Sequence, residues 1–110
     1  MECLCKIKEV FKKINQFEQK LNTEMGVTIN EAMVTCCLSG KIMSSGEISL
    51  DTGISTTRTS RVLLSLEPKG YVSRSFDSHD KRKMMFELTT AGFDKQKEIN
   101  GLEVDLDFTI

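Results

Sequence analysis

Apolar residues at the start of the chain recur three and four positions apart: Leu4, Ile7, Val10, Phe11, Ile14, Phe17 and Leu21. That spacing lays them on one stripe of an amphipathic helix over 1–21, with Lys6, Lys8, Lys12, Lys13 and Lys20 on its other faces. After a turn around Gly26, Thr28-x-x-Glu31 has the form of a capping box and opens a second helix over 28–39. Ala32, Met33, Cys36 and Cys37 share its apolar face, and Ser39-Gly40 ends it. Ser44-x-x-Glu47 repeats the capping box and opens a short helix over 45–53 that stops at Gly53. Ser55 caps the next helix, 55–67, whose buried side is Val62, Leu63 and Leu66; Pro68, lacking a backbone donor, ends it. The period then changes to alternation. Residues 71–76 and 83–88 read as the strands of a hairpin over 71–88, with Val72, Phe76, Met84, Phe86 and Leu88 turned inward. Thr89 caps a last helix over 89–100, Gly101 breaks it, and 101–110 forms an acidic and apolar tail.

This order predicts one domain over 1–110, mainly α with a small β-hairpin: a helix-turn-helix followed by a wing. A chain of 110 residues buries one modest core. With 39% hydrophobic and 28% charged residues it is neither disordered nor membrane-spanning, and no apolar run approaches a bilayer span. No long apolar stretch follows the N-terminus, so a secretory leader is not expected and a cytoplasmic protein is. The spacing of Cys3, Cys5, Cys36 and Cys37 matches neither a zinc site nor a disulfide framework, so reduced thiols are expected. Cys36 and Cys37 are expected to be buried as small hydrophobes. Cys3 and Cys5 stand on an exposed first turn and are the candidates for a redox response.

Enzyme chemistry has no foothold here. The sequence holds no glycine-rich phosphate loop, no nucleophile elbow and no metal-ligand spacing. Asp77-Ser78-His79-Asp80 sits on a loop tip with no pocket to exclude water, and His79 has no partner ligands for a metal. No catalysis, cofactor or metal is therefore expected. The formal net charge of −1 conceals an asymmetry. Between Thr56 and Lys83 seven basic residues face three acidic ones, a local net of +4, which leaves −5 for the remainder. Attraction to a polyanion depends on the contacting patch and not on the whole chain.

The segment from Glu47 to Phe93 resembles the MarR family of winged-helix transcription regulators. The residues that carry the resemblance are Glu47-Ile48, Gly53-Ile54-Ser55, Arg61-Val62, Leu66-Glu67, Lys69-Gly70-Tyr71-Val72, Asp77-x-x-Asp80-x-Arg82 and Leu88-Thr89-x-x-Gly92. Members of that family are usually longer, with two long C-terminal helices that interlock a dimer. This chain is nearer in length to the SarA-like single-domain branch. Leu50 and Thr52 invert the usual polar and apolar choices in the short helix before the turn, which leaves an apolar spot for the surface.

The resemblance implies a homodimer that binds a pseudo-palindromic operator in double-stranded DNA and regulates transcription, as a repressor in the leading reading. Two recognition helices would enter successive major grooves, each presenting Thr56, Thr57, Arg58, Ser60 and Arg61. On the wing, Arg82 would reach a minor groove, Asp80 would orient the loop, and Arg74 and Lys81 would meet phosphates. The stripe of Leu4, Ile7, Phe11, Ile14, Phe17 and Leu21 is the expected dimerisation surface. The short C-terminal region leaves little room for a small-molecule effector. Two other readings stay open: a winged helix that binds protein and not DNA, and a cysteine-based redox switch with DNA binding as its output.

Overall fold

The computed structural model describes residues 2–102. The expected tail from residue 103 onward lies outside them. Five helices and one hairpin follow in the order α1 (Glu2–Met25), α2 (Ile29–Cys37), α3 (Ser45–Thr52), α4 (Thr56–Leu66), β1 (Val72–Phe76), β2 (Met84–Leu88) and α5 (Thr90–Asn100). This is a winged helix: α3 and α4 form the helix-turn-helix, and the antiparallel β1–β2 pair forms the wing.

Local chemistry sets the boundaries. Thr28 Oγ1 accepts from the Glu31 amide at 3.1 Å, while Glu31 Oε1 accepts from the Thr28 amide at 2.9 Å. Ser44 and Glu47 repeat this exchange at 3.2 and 3.0 Å. Both capping boxes satisfy amides that a helix start leaves without partners. Gly53 closes α3 with φ of 78°, a left-handed conformation that a residue with a side chain adopts only at a cost. That turn sends α4 across α3. α1 continues to Met25, one turn beyond the end expected from its apolar stripe, before Gly26 turns the chain with φ of 68°.

The main core gathers Val34, Leu38, Ile48, Leu63 and Leu66 from the helices with Val72, Phe86 and Leu88 from the wing. A second cluster of Leu21, Val27 and Ala32 ties the end of α1 to α2, with Phe17, Ile99 and Leu102 packed against it. Tyr71 touches both clusters and joins them at the root of the wing. Each fully buried leucine contributes about 1.5–3 kcal/mol relative to exposure. At Gly92 a Cβ would collide with the Tyr71 carbonyl, so only glycine lets α5 approach β1 this closely.

Three sequence expectations need correction. Phe76 does not face inward but is 63% exposed at the far end of β1, while its cross-strand partner Met84 still packs against the main core. Cys36 is exposed and only Cys37 is buried. α2 packs against α1, α3, α4 and α5, so burial wraps most of its circumference and takes in Glu31 and Thr35, leaving the Cys36 sector open. Leu21, expected on a surface for a second subunit, is fully buried within its own chain. One element was not expected: Met43 pairs with Phe86 through two backbone hydrogen bonds of 3.0 and 2.8 Å, adding a one-residue third strand beside the wing.

Candidate nucleic-acid interface

α4 buries Thr59, Val62, Leu63 and Leu66. At 100° per residue these occupy one side of the helix, so Thr57, Ser60 and Arg61 fall on the opposite side. Thr56, Thr57, Arg58, Ser60 and Arg61 are all exposed. Ser55 caps the helix, its hydroxyl accepting from the Arg58 amide at 3.2 Å. In contrast to α2 and α3, whose first turns hold Glu31 and Glu47, the first turn of α4 carries no acid. Its positive dipole end is therefore not neutralised locally, which favours an approaching phosphate. Arg58 and Arg61 form no ion pair among the described residues.

The position of α4 is fixed from behind by a polar cluster that the sequence reading did not assemble. Lys69 Nζ donates to both carboxylate oxygens of Glu31 at 2.9 Å and to the Gly26 carbonyl at 3.1 Å. Ser65 of α4 donates to Glu31 Oε2 at 2.8 Å. Glu31 is almost wholly buried. Burial by itself raises its carboxyl pKa, but the hydrogen bonds from Lys69, the Thr28 amide and Ser65, with the Lys69 charge, outweigh it and hold the group below the usual carboxylate value. The lysine and the glutamate lie 38 residues apart, so no local spacing announces the pair.

On the wing, Asp80 folds the tip upon itself. Its Oδ1 accepts from the Arg82 amide at 3.0 Å and from Arg82 Nε at 3.4 Å. The Asp77 amide donates to the Lys83 carbonyl at 2.8 Å and closes the loop. The Arg82 side chain remains 94% exposed. Other basic residues of this half of the chain are already engaged. Arg74 Nε lies 3.0 Å from Glu67 Oε2, Lys69 serves Glu31, and Lys83 stands 4.0 Å from Glu47. Among the described residues of this half, the unpaired positive charge thus lies on Arg58, Arg61 and Lys81, while Arg82, though paired with Asp80, keeps its side chain exposed. Arg74, expected as a phosphate contact, would first have to leave Glu67.

The apolar stripe of α1 divides. Phe17 and Leu21 pack in the chain's own second cluster, Ile14 is half-buried, and Leu4, Ile7 and Phe11 are exposed, Leu4 and Phe11 by 59% and 62%. Cys3 and Cys5 are exposed near the same end. Burial, and then the hydrogen bond and charge of Asp51, push the Cys37 thiol up to about 12. An aromatic disulfide reagent at neutral pH is expected to react quickly with Cys3, Cys5 and Cys36 of the folded protein, and with Cys37 only after unfolding. Four fast thiols would contradict this arrangement. Among the described residues no three His, Cys, Asp or Glu side chains gather as a metal site, and no helix is long and apolar enough to cross a membrane.

Helix-turn-helix, wing and outward arginines together define a winged-helix domain, and solved structures share it. The transcriptional regulator BldR from Sulfolobus solfataricus superposes with a TM-score of 0.82 at 22% identity, over 90% of this chain and 72% of that one. AbsC, a MarR family transcriptional regulator from Streptomyces coelicolor, gives 0.78 at 24% identity over 90% and 70%. A cysteine-to-serine mutant of MarR from E. coli, complexed with operator DNA, gives 0.78 at 23% identity over 87% and 69%. At these identities the likeness establishes the fold. No protein-family model matches the chain, and no curated protein does.

Proposed function

We propose that this chain is a MarR-family transcription regulator that binds double-stranded DNA as a homodimer and acts as a repressor by occupying a pseudo-palindromic operator. The observation that carries the reading is the outward side of α4. Thr57, Ser60 and Arg61 stand opposite the core with no acid in the first turn and no ion pair on Arg61 among the described residues. Such a side fits a major groove, where arginine pairs bidentately with guanine and threonine meets a thymine methyl or a phosphate. The exposed Arg82, held at its base by Asp80, suits the adjacent minor groove. Leu4, Ile7 and Phe11 supply the apolar surface for a second copy, which sets the spacing between two recognition helices.

The test is binding to random-sequence and promoter DNA across a salt series, with sedimentation alongside. Selective binding by a dimer is expected. Arg82→Ala is expected to weaken binding to A·T-flanked sites most, by roughly 1–3 kcal/mol per lost contact. A monomer at micromolar concentration would remove the two-half-site arrangement, and no binding at low salt, where even non-specific attraction operates, would remove the DNA reading.

A further inference from the structure

The outward side of α4 holds one residue that phosphate attraction does not account for. Among the exposed residues of this helix, Thr56, Thr57, Arg58, Ser60, Arg61 and Ser65 are polar, whereas Leu64 is apolar and 60% exposed. At 100° per residue Leu64 falls in the same sector as Thr57, Ser60 and Arg61, and the buried Thr59, Val62, Leu63 and Leu66 fill the sector opposite. Leu64 therefore has no part in the core, which Leu63 and Leu66 already supply from this helix.

We propose that Leu64 is a specificity-determining residue: lying beside Arg61 on the outward stripe of α4, it packs on the C5-methyl group of a thymine in each operator half-site. The inference rests on the DNA-binding reading above and deepens it. The geometry supports the contact. From Thr57 to Leu64 the stripe rises about 10.5 Å, roughly three base steps of about 3.4 Å, so a helix lying along the groove presents the whole stripe to one run of bases. Leu64 lies about 4.5 Å beyond Arg61 along the axis, against roughly 3.4 Å per base step, so its thymine stands one or two positions from the base that Arg61 reads. The chemistry points to the same base. The thymine methyl is the apolar group on the major-groove edge of the base pairs, and a leucine in the groove removes that methyl and its own from water. A polar residue would have satisfied a solvated surface equally well.

The experiment scans the selected operator with deoxyuridine in place of each thymine in turn, which deletes only the methyl group, using the full chain and Leu64→Ala. The wild-type protein is expected to lose about fourfold in affinity at one thymine per half-site, the equivalent of one buried methyl. Leu64→Ala should be insensitive at that thymine while keeping every other effect of the scan and the same low-salt affinity for random DNA. Leu64→Gln carries an amide that pairs with adenine and is expected to move the preference at that position from thymine to adenine. Identical scans for wild type and Leu64→Ala, with no change of preference in Leu64→Gln, would overturn the assignment and leave the DNA reading standing. Failure of the wild type to bind any duplex at low salt would overturn both.

Discussion

Replacing Arg61 by alanine is expected to cost the largest share of sequence selectivity while leaving the fold and most non-specific attraction in place. Arg61 stands on the side of α4 opposite the buried Thr59, Val62, Leu63 and Leu66, so its loss opens no cavity. It has no ion-pair partner among the described residues, so none is left unpaired by its removal. One bidentate guanine contact is worth roughly 1–3 kcal/mol, and the symmetric dimer proposed above would make it twice, which places the loss at roughly one and a half to four orders of magnitude in affinity. Random DNA, held through phosphates, should lose about one unit of salt slope per site. Arg61→Lys separates the two roles, because lysine keeps the charge and lacks the planar fork. It should restore the salt slope without the selectivity. Competition binding with operator and random duplexes, beside thermal melting, measures all three quantities. Undiminished selectivity in Arg61→Ala would move base reading to another surface.

The second large effect is on stability. Lys69→Met leaves the buried Glu31 carboxylate without its cation, and removing one partner of a buried pair costs about 3–5 kcal/mol. Lys69 is itself 37% exposed, so the lower end, about 3 kcal/mol, is expected, with a fall in melting temperature of roughly 13 °C for a domain of this size. The pH dependence follows from the direction of the Glu31 shift. Its folded pKa lies below the ordinary value of 4.5, so the stabilisation is complete above that value and is lost as the pH falls through the lower, folded one. Lys69→Met should flatten this acid limb, since the strongest partner of the charged form is gone. The double variant Glu31→Gln with Lys69→Met removes the buried charge while the glutamine oxygen can still accept from the Thr28 amide, and should recover much of the loss. Denaturant midpoints between neutral and acid pH decide the matter, and a single variant as stable as the wild type would show that the pair contributes little.

These two sites differ in how readily the sequence discloses them. Ser55, Gly53 and the stripe on α4 were legible because caps, left-handed turns and helical period are all short-range rules, and Arg61 falls where they place it. The same rules located Thr28, Ser44 and Thr89 as cap residues. The Glu31–Lys69 pair was not legible. The sequence marks Glu31 as a capping residue and Lys69 as a charge within a family-like Lys-Gly-Tyr-Val run, but contact over 38 residues has no local signature. Alternation correctly gave Val72, Phe86 and Leu88 an inward side, yet it could not say that nothing covers Phe76. Period likewise names a stripe on α1 without dividing it between Leu21, covered by its own chain, and Phe11, left open. The Met43–Phe86 pairing involves one residue on each side and so offers no period at all.

That small pairing has a mechanical consequence. Met43 immediately precedes the Ser44 cap of α3, so the start of the helix-turn-helix is stitched to β2 by two backbone hydrogen bonds. The wing is thereby tied to the start of the helix-turn-helix, which restrains the two from moving apart. On a duplex, the offset between what α4 reads and what Arg82 reads would be a fixed dimension of each half-site. In the homodimer proposed above, any adjustment to a differently spaced operator would have to come from the α1 contact between the two copies.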